Sequence, residues 1–362
     1  MASRSFIYFV ASFMTAMAVE EKQGSIVTPA SIPLRPLQWI DFTTEFAIVG
    51  FLLLYVVVWW QGSRTNRDIA SKWTNINVGY LTDQFALVGN KTTNDKPSLV
   101  KDGPADYLMY TSGRRYIQFG HWWIKLKPRN DPVSRLTSAM FSLFGWTKSL
   151  KDRVEVTLTL DKESKKKFVF AILNTSIAKE THEKRFDLSK MTKIASANVP
   201  SNLVVYTESQ KLAELLLGGK SGDILRQSSG LESLIITYLP DYEPERLNTD
   251  KDLKLTLIYD MNDTKSSSLV ELPCALADTV GSLNLTADVT TKLDKNIAEL
   301  RKIFAKREAE DRAEEIAKKK AEAKRAQDDR LKKLSPSEQR KHDEKERNRE
   351  KKKEMKKRTK RA

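Results

Sequence analysis

Cysteine occurs once in 362 residues, at Cys274. That excludes an intramolecular disulfide framework and any multi-cysteine zinc site, and it fits a reducing compartment for the main domain. Histidine occurs three times, scattered along the chain, and three such residues do not build a metal site by themselves. The run "HEKRF" at His182 begins like a zinc-protease helix, but the second histidine of that motif would have to stand where Phe186 stands. The run "GGKSGD" contains Gly219, Lys220 and Ser221, the ending of a phosphate-binding loop. Glu214, however, occupies the place of that motif's first glycine, and a leucine-rich helix with Ser209 as N-cap precedes it where the motif needs a strand. No catalytic residue, metal ligand or cofactor is therefore assigned, and the chain is read as a non-enzyme.

The C-terminus lacks apolar residues. The closing run "LSPSEQRKHDEKERNREKKKEMKKRTKRA" has almost nothing to pack on a core, and charge has accumulated instead. From Arg301 onward there are about 26 Lys and Arg against about 14 Asp and Glu, so about +12 of the formal +15 lies there. The rest of the chain is close to neutral. Such a tail calls for a polyanionic partner: RNA, DNA or an anionic membrane surface.

Two long apolar runs stand at the other end. "MASRSFIYFVASFMTAMA" has one basic residue, Arg4, an apolar stretch and the small residues Ala16 and Ala18. It reads as a signal peptide over residues 1–18, the alternative being an uncleaved anchor. Phe46 to Trp60 is the second run, extended toward Trp39 to about the 20 residues that span a bilayer. Phe46, Leu52, Leu53, Leu54, Val56, Val57, Val58, Trp59 and Trp60 are its candidate anchor residues. Tryptophans at both edges suit membrane interfaces, Glu45 lies near the outer end, and the alternative is a buried core element. Arg64, Arg67 and Lys72 follow the run, so the C-terminal side is expected in the cytosol, giving a single-pass type I protein. Four N-glycosylation sequons, at Asn90, Asn174, Asn262 and Asn284, would then stay unmodified.

The expected organisation is a signal peptide (1–18), a short lumenal segment (19–44), a transmembrane helix (45–61), a cytosolic α+β domain (62–290), a long charged helix (291–334) and a basic C-terminal helix (335–362). In the middle, "VEVTLTL" alternates strictly and "KFVFAIL" follows across a polar turn, which predicts an antiparallel pair. "LVVYTE", "LESLIITYL" and "DLKLTLIYDM" add strands to a largely antiparallel sheet. "SRLTSAMFSLFGW", "SIAKETHEKRFDLSK" and "SQKLAELLLGG" supply helices. "GRRYIQFGHWWIKLKP" interleaves bases with aromatics. It is either a strand with one face in the core or a surface for nucleic acid or membrane.

From Thr291, Leu293, Ile297, Leu300 and Phe304 recur at helical spacing, and then the stripe ends. The following Ala/Glu/Lys stretch has supportive pairs such as Glu315 with Lys319 but no sustained a/d seam, so a solvent-exposed helix is expected. "LSPSEQ" restarts the chain with Ser335 as N-cap, Pro336 and Glu338 in a capping box. The bases after it are Arg340, Lys341, Lys345, Arg347, Arg349, Lys351, Lys352, Lys353, Lys356, Lys357, Arg358, Lys360 and Arg361. A capped basic helix suits a rigid polyanion, where each neutralised phosphate releases a counterion.

The anchor, "YTSGRRYIQF", "RVEVTLTL", "KKFVFAIL" and the charged helix broken at "KLSPSEQRKHDEKE" together resemble the coiled-coil domain-containing protein 47 (calumin) family, from about Trp39 to the end. The resemblance implies an endoplasmic reticulum (ER) membrane protein of the PAT complex, an intramembrane chaperone for nascent multipass membrane proteins. It implies as partners a small Asterix-like membrane protein, Sec61 and other multipass translocon subunits, and the ribosome. By position it implies that the tail bases contact large-subunit rRNA near the exit tunnel. The animal proteins' long acidic lumenal segment, credited with calcium binding, has no counterpart in residues 19–44, so calcium binding is not carried over. A reading from another class is a membrane-contact or lipid-handling protein whose basic tail lies on anionic lipid.

Overall fold

The structure is a computed structural model that describes residues 38–89, 91–92, 99–145, 150–161, 167–262 and 266–332, with helical residues 344–345, 347–348, 351–352 and 355. The signal-peptide run and the capping box at Ser335 lie outside the described residues. The chain forms two compact units, residues 1–55 and 56–362.

In the first unit a 3-10 turn, Trp39–Phe42, leads into helix α1, Thr43–Gln84, and the Trp39 ring stacks on Phe46 at 6.0 Å. In the second unit the later part of α1 buries Gly62, Asn66, Ala70, Trp73, Thr74, Asn77 and Leu81. Those spacings of three and four residues draw a single stripe down one face. The expected transmembrane segment, 45–61, is thus the beginning of a longer helix. The sequence changes from apolar on all sides to a single buried stripe that includes the polar Asn66, Thr74 and Asn77, with no proline to break the helix.

Among the described residues the sheet has eleven strands: β1 (Leu87–Val88), β2 (Lys91–Thr92), β3 (Val100–Lys101), β4 (Asp106–Arg114), β5 (Ile117–Lys125), β6 (Arg153–Leu160), β7 (Phe170–Asn174), β8 (Lys193–Ala195), β9 (Leu203–Thr207), β10 (Leu231–Thr237) and β11 (Lys254–Asp260). The order is β2-β1-β4-β5-β6-β11-β10-β7-β9-β8, with β3 on β4, and the pairings are antiparallel. Strict alternation puts Val154, Val156 and Leu158 of β6 on the buried face. They stand between Ile124, Trp122 and Gly120 of β5 and Tyr259, Leu257 and Leu255 of β11. Trp73 leans on Trp122 at 6.3 Å, so α1 covers this part of the sheet. Gly120 is required here, because a Cβ on it would lie 2.4 Å from Leu158 Cδ2.

Helices α2 (Pro132–Leu143), α3 (Thr175–Lys184), α4 (Phe186–Met191), α5 (Gln210–Leu216), α6 (Lys220–Gln227), α7 (Leu272–Ser282) and α8 (Ala287–Lys332), with a 3-10 turn over Ser266–Val270, complete the described elements. Consecutive buried residues in β7 (Phe170 to Leu173) and β10 (Leu234 to Ile236) show that these strands are covered on both faces.

Three expectations need correction. The hairpin predicted between "VEVTLTL" and "KFVFAIL" does not form: β6 pairs with β5 and β11, while β7 pairs with β10 and β9. Alternation determines which face of a strand is buried but not which strand lies beside it. Here the β10–β11 hairpin lies between the two. The run "SIAKETHEKRFDLSK" is two helices, broken at Arg185, whose ψ of 124° is extended. Phe186 N–H donates to the Asp241 carbonyl (2.8 Å), and Arg185 folds onto the buried Asp187 carboxylate (2.9 Å). The charged helix begins at Ala287 rather than Thr291, because Val289 extends the buried stripe by one turn.

Candidate functional site

Among the described residues one helix, α1, is long and apolar enough to cross a membrane, and only 6% of that window is buried within the protein. A core helix of a soluble domain would be mostly buried, so the low burial favours a membrane span. Phe46, Leu52, Leu53, Leu54, Val56, Val57, Trp59 and Trp60 are all exposed, and Val58 is half-buried. A helix that turns apolar side chains outward on every side is stable only where its surroundings are also apolar.

In the second unit the environment of α1 changes within two residues. Trp60 is 59% exposed, whereas Gly62 touches backbone: a Cβ there would lie 2.2 Å from the Arg129 carbonyl oxygen. One turn on, the Asn66 side chain donates to the carbonyls of Pro104 and Lys127 (both 3.1 Å) and accepts from Arg129 Nη1 at 3.1 Å. Arg129 also forks onto Asp152, at 2.8 Å to Oδ1 and 2.7 Å to Oδ2, and Lys127 N–H donates to Asp152 Oδ1 at 2.8 Å. Burial pushes the Asp152 carboxyl up. The Arg129 hydrogen bonds, the Lys127 N–H, the guanidinium charge and Asn262 outweigh that effect and hold it below the ordinary carboxylate range. This clamp joins α1 to the connection between β5 and β6. It is not legible in the sequence, because Asn66, Arg129 and Asp152 carry no local pattern that would pair them.

The aromatic-basic run over β4–β5 is a strand pair with one face in the core. Trp122 and Ile124 are fully buried, Arg114 pairs with Asp278 at 2.6 Å, and Lys125 pairs with Glu155. Lys220 of "GGKSGD" pairs with Glu271 at 2.9 Å, and Gly219, at φ 65°, caps α6. His182 stacks on Tyr206 at 4.6 Å, and no cluster able to hold a metal occurs among the described residues. Cys274 is 1% exposed, and burial pushes its thiol up to about 11. We expect it to resist maleimide at neutral pH in the folded chain and to react fully in denaturant, as read by mass spectrometry.

At the C-terminal side α8 docks through Val289, Leu293, Leu300 and Phe304, with Ile297 packed at the edge of the core and Phe304 edge-on to Phe186 at 5.9 Å. Asn296 donates to Glu208 at 2.8 Å. Beyond Phe304 the helix is almost wholly exposed as far as Ala326 and is laced by Arg312–Glu308 (3.3 Å) and Lys319–Glu315 (2.6 Å). Lys345, Arg347, Lys351 and Lys352 are exposed residues in helical conformation. Arg340, Lys341, Arg349, Lys353, Lys356, Lys357, Arg358, Lys360 and Arg361 lie outside the described residues.

Residues 41–353 match the family described as PAT complex subunit CCDC47. A Schizosaccharomyces pombe protein named as an endoplasmic reticulum membrane protein is 26% identical over 345 residues, covering 89% of each chain. The PAT complex subunits CCDC47 of Danio rerio and Homo sapiens are 25% and 23% identical, each alignment covering 74% of this chain. The chain spans 59% of the length of those two vertebrate relatives.

Proposed function

This chain belongs to the family of PAT complex subunit CCDC47, and from that premise we propose that it works in the ER membrane as a non-enzymatic PAT complex subunit. In this reading α1 anchors it as a single-pass type I protein with the second unit in the cytosol. With an Asterix-like small membrane partner, beside Sec61 and other translocon subunits, it assists the insertion and folding of nascent multipass membrane proteins. The basic tail tethers it to large-subunit rRNA near the exit tunnel. The family match carries the reading. It is supported by an anchor helix whose apolar residues face outward and by a helix α8 that leaves the core at Phe304 and continues as a solvated, ion-paired rod. At 1.5 Å per residue, the stretch from Phe304 to Lys332 reaches about 42 Å, far enough to present charge at a distance from the sheet.

The test is ribosome co-sedimentation from detergent-solubilised ER membranes, full chain against a truncation after Leu334, at low and high salt. The full chain is expected to pellet with ribosomes at low salt and to be released steeply as salt rises, because each phosphate contact contributes to the salt slope. The truncation is expected to stay in the supernatant. Equal pelleting of both would move the ribosome contact elsewhere. Absence of both from the pellet, with binding to anionic liposomes that RNase does not affect, would favour the lipid-tether reading.

A further inference from the structure

Helix α2 is amphipathic the wrong way round for a soluble protein. Its N-terminus is well made: Asp131 Oδ1 accepts from the backbone N–H groups of Val133 and Ser134 (both 3.1 Å), and Pro132 opens the first turn. Ser134, Ser138 and Ser142 recur every four residues and form its half-buried side. Val133, Leu136, Met140 and Leu143 form the opposite side, exposed at 42%, 65%, 50% and 86%. None of its residues is buried. A surface helix of a globular domain turns its large apolar side chains inward; this one turns small hydroxyls inward and its large apolar residues outward.

Its place in the fold indicates what those residues meet. The chain leaves β5 at Lys125 and returns to β6 at Arg153, which are partners in the sheet, so α2 is an excursion with both feet together. The feet are the clamp already described: Lys127 N–H and Arg129 on one side, Asp152 on the other. That clamp rests on α1 at Gly62 and Asn66, within two to six residues of Trp60, which is about 3–9 Å along the helix axis. The excursion therefore starts at the level where the apolar run of α1 gives way to polar residues. Charge on the helix is sparse, with Arg135 as its one ionisable side chain.

We infer that α2 lies in the membrane interface beside the emergence of α1, with Val133, Leu136, Met140 and Leu143 inserted among lipid acyl chains, and that insertion responds to lipid packing rather than to anionic headgroups. The inference rests on reading α1 as a membrane anchor. Interfacial helices of this kind bury an apolar face about 5–10 Å into the headgroup–acyl boundary. Those with abundant lysine and arginine depend on anionic lipid; a serine-lined helix with one arginine has little to offer such headgroups.

The test uses the full chain in liposomes, labelled with an environment-sensitive fluorophore at Leu136→Cys or Leu143→Cys. Ala309→Cys on the exposed part of α8 serves as the aqueous control, and Cys274 is shielded by burial. The α2 probes are expected to emit at shorter wavelength than the control and to be quenched several-fold more by lipids bearing a nitroxide near the headgroup. Replacing a third of neutral lipid by anionic lipid should change this less than twofold, whereas loosening the packing with unsaturated chains should increase it. Probes as water-exposed as Ala309→Cys would overturn the inference. So would probes exposed in liposomes of the purified chain but shielded in ER microsomes, which would give the face to a protein partner. A strong requirement for anionic lipid would overturn the packing dependence. Carbonate extraction of the same liposomes reports the anchor separately: release of the chain would show that the reading of α1 has failed.

Discussion

Asp152→Ala is expected to destabilise the second unit by about 3–5 kcal/mol, because it leaves a largely buried guanidinium without its counter-charge. Asp152 is 2% exposed and Arg129 23%, so solvent does little to compensate. The substitution also strips the Lys127 N–H of its acceptor, which adds the cost of an unmade hydrogen bond. Arg129 would keep only the Asn66 carbonyl oxygen, at 3.1 Å. The measurement is urea unfolding of the full chain in detergent, followed by tryptophan fluorescence, since Trp73 and Trp122 sit in the core of the second unit. The control is Arg129→Leu combined with Asp152→Leu. Replacing both charges with apolar groups should recover most of the loss, and a double variant as unstable as the single would show that the ion pair is not what the site depends on. The sign with pH follows from the lowered carboxyl. Its contribution is fully present above the ordinary value of 3.8 and is lost as pH falls below that toward the depressed value of the folded state.

Glu208→Gln is expected to act in the opposite pH sense. Glu208 is 5% exposed, and its two oxygens join the sheet to α8, accepting from Val169 N–H and from Asn296 Nδ2, both at 2.8 Å. Burial pushes its carboxyl from 4.5 up to about 7, against the lowering effect of those two hydrogen bonds and of Lys292. Lys190, Lys193 and Glu299 line the same cavity, and Tyr238 feels the same carboxylate. A raised folded value means that the folded chain holds a proton the unfolded chain has released. The stabilising contribution is thus complete below pH 4.5 and disappears as pH rises to about 7. Converted at about 1.4 kcal/mol per pH unit, the loss is about 3 kcal/mol. The glutamine variant cannot ionise but offers one acceptor oxygen to the two donors, so it should start less stable than the native chain at pH 4.5 and gain on it by about that size by pH 8. A difference that stays constant with pH would mean that Glu208 does not titrate in this range.

Much of the architecture was legible because it is written in local periodicity. The strict alternation of Val154, Val156 and Leu158 is the buried row of β6, and Leu293, Leu300 and Phe304 are the docked stripe of α8. The apolar run of α1 and the ion-paired Glu315–Lys319 rod beyond Phe304 required only composition and spacing. What stayed hidden depends on partners far apart in the chain. Strand neighbours are selected by the competition of whole surfaces, which is why β10 and β11 came between β6 and β7. The break at Arg185 depends on Asp241, more than fifty positions away, which no helix propensity registers.

The sequence by itself determined that this protein has an apolar span, an antiparallel α+β unit and a charged C-terminal helix, because hydrophobic period and charge density are properties of neighbouring residues. Only the tertiary structure decided where α1 stops being exposed on every side and starts packing against protein. Gly62 marks that point because the Arg129 backbone lies against it, and Arg129 is held there by its bonds to Asn66 and Asp152. The structure likewise decides that the serines of α2 are half-buried and its leucines exposed, because the orientation of an amphipathic helix depends on its surroundings as well as on its own residues.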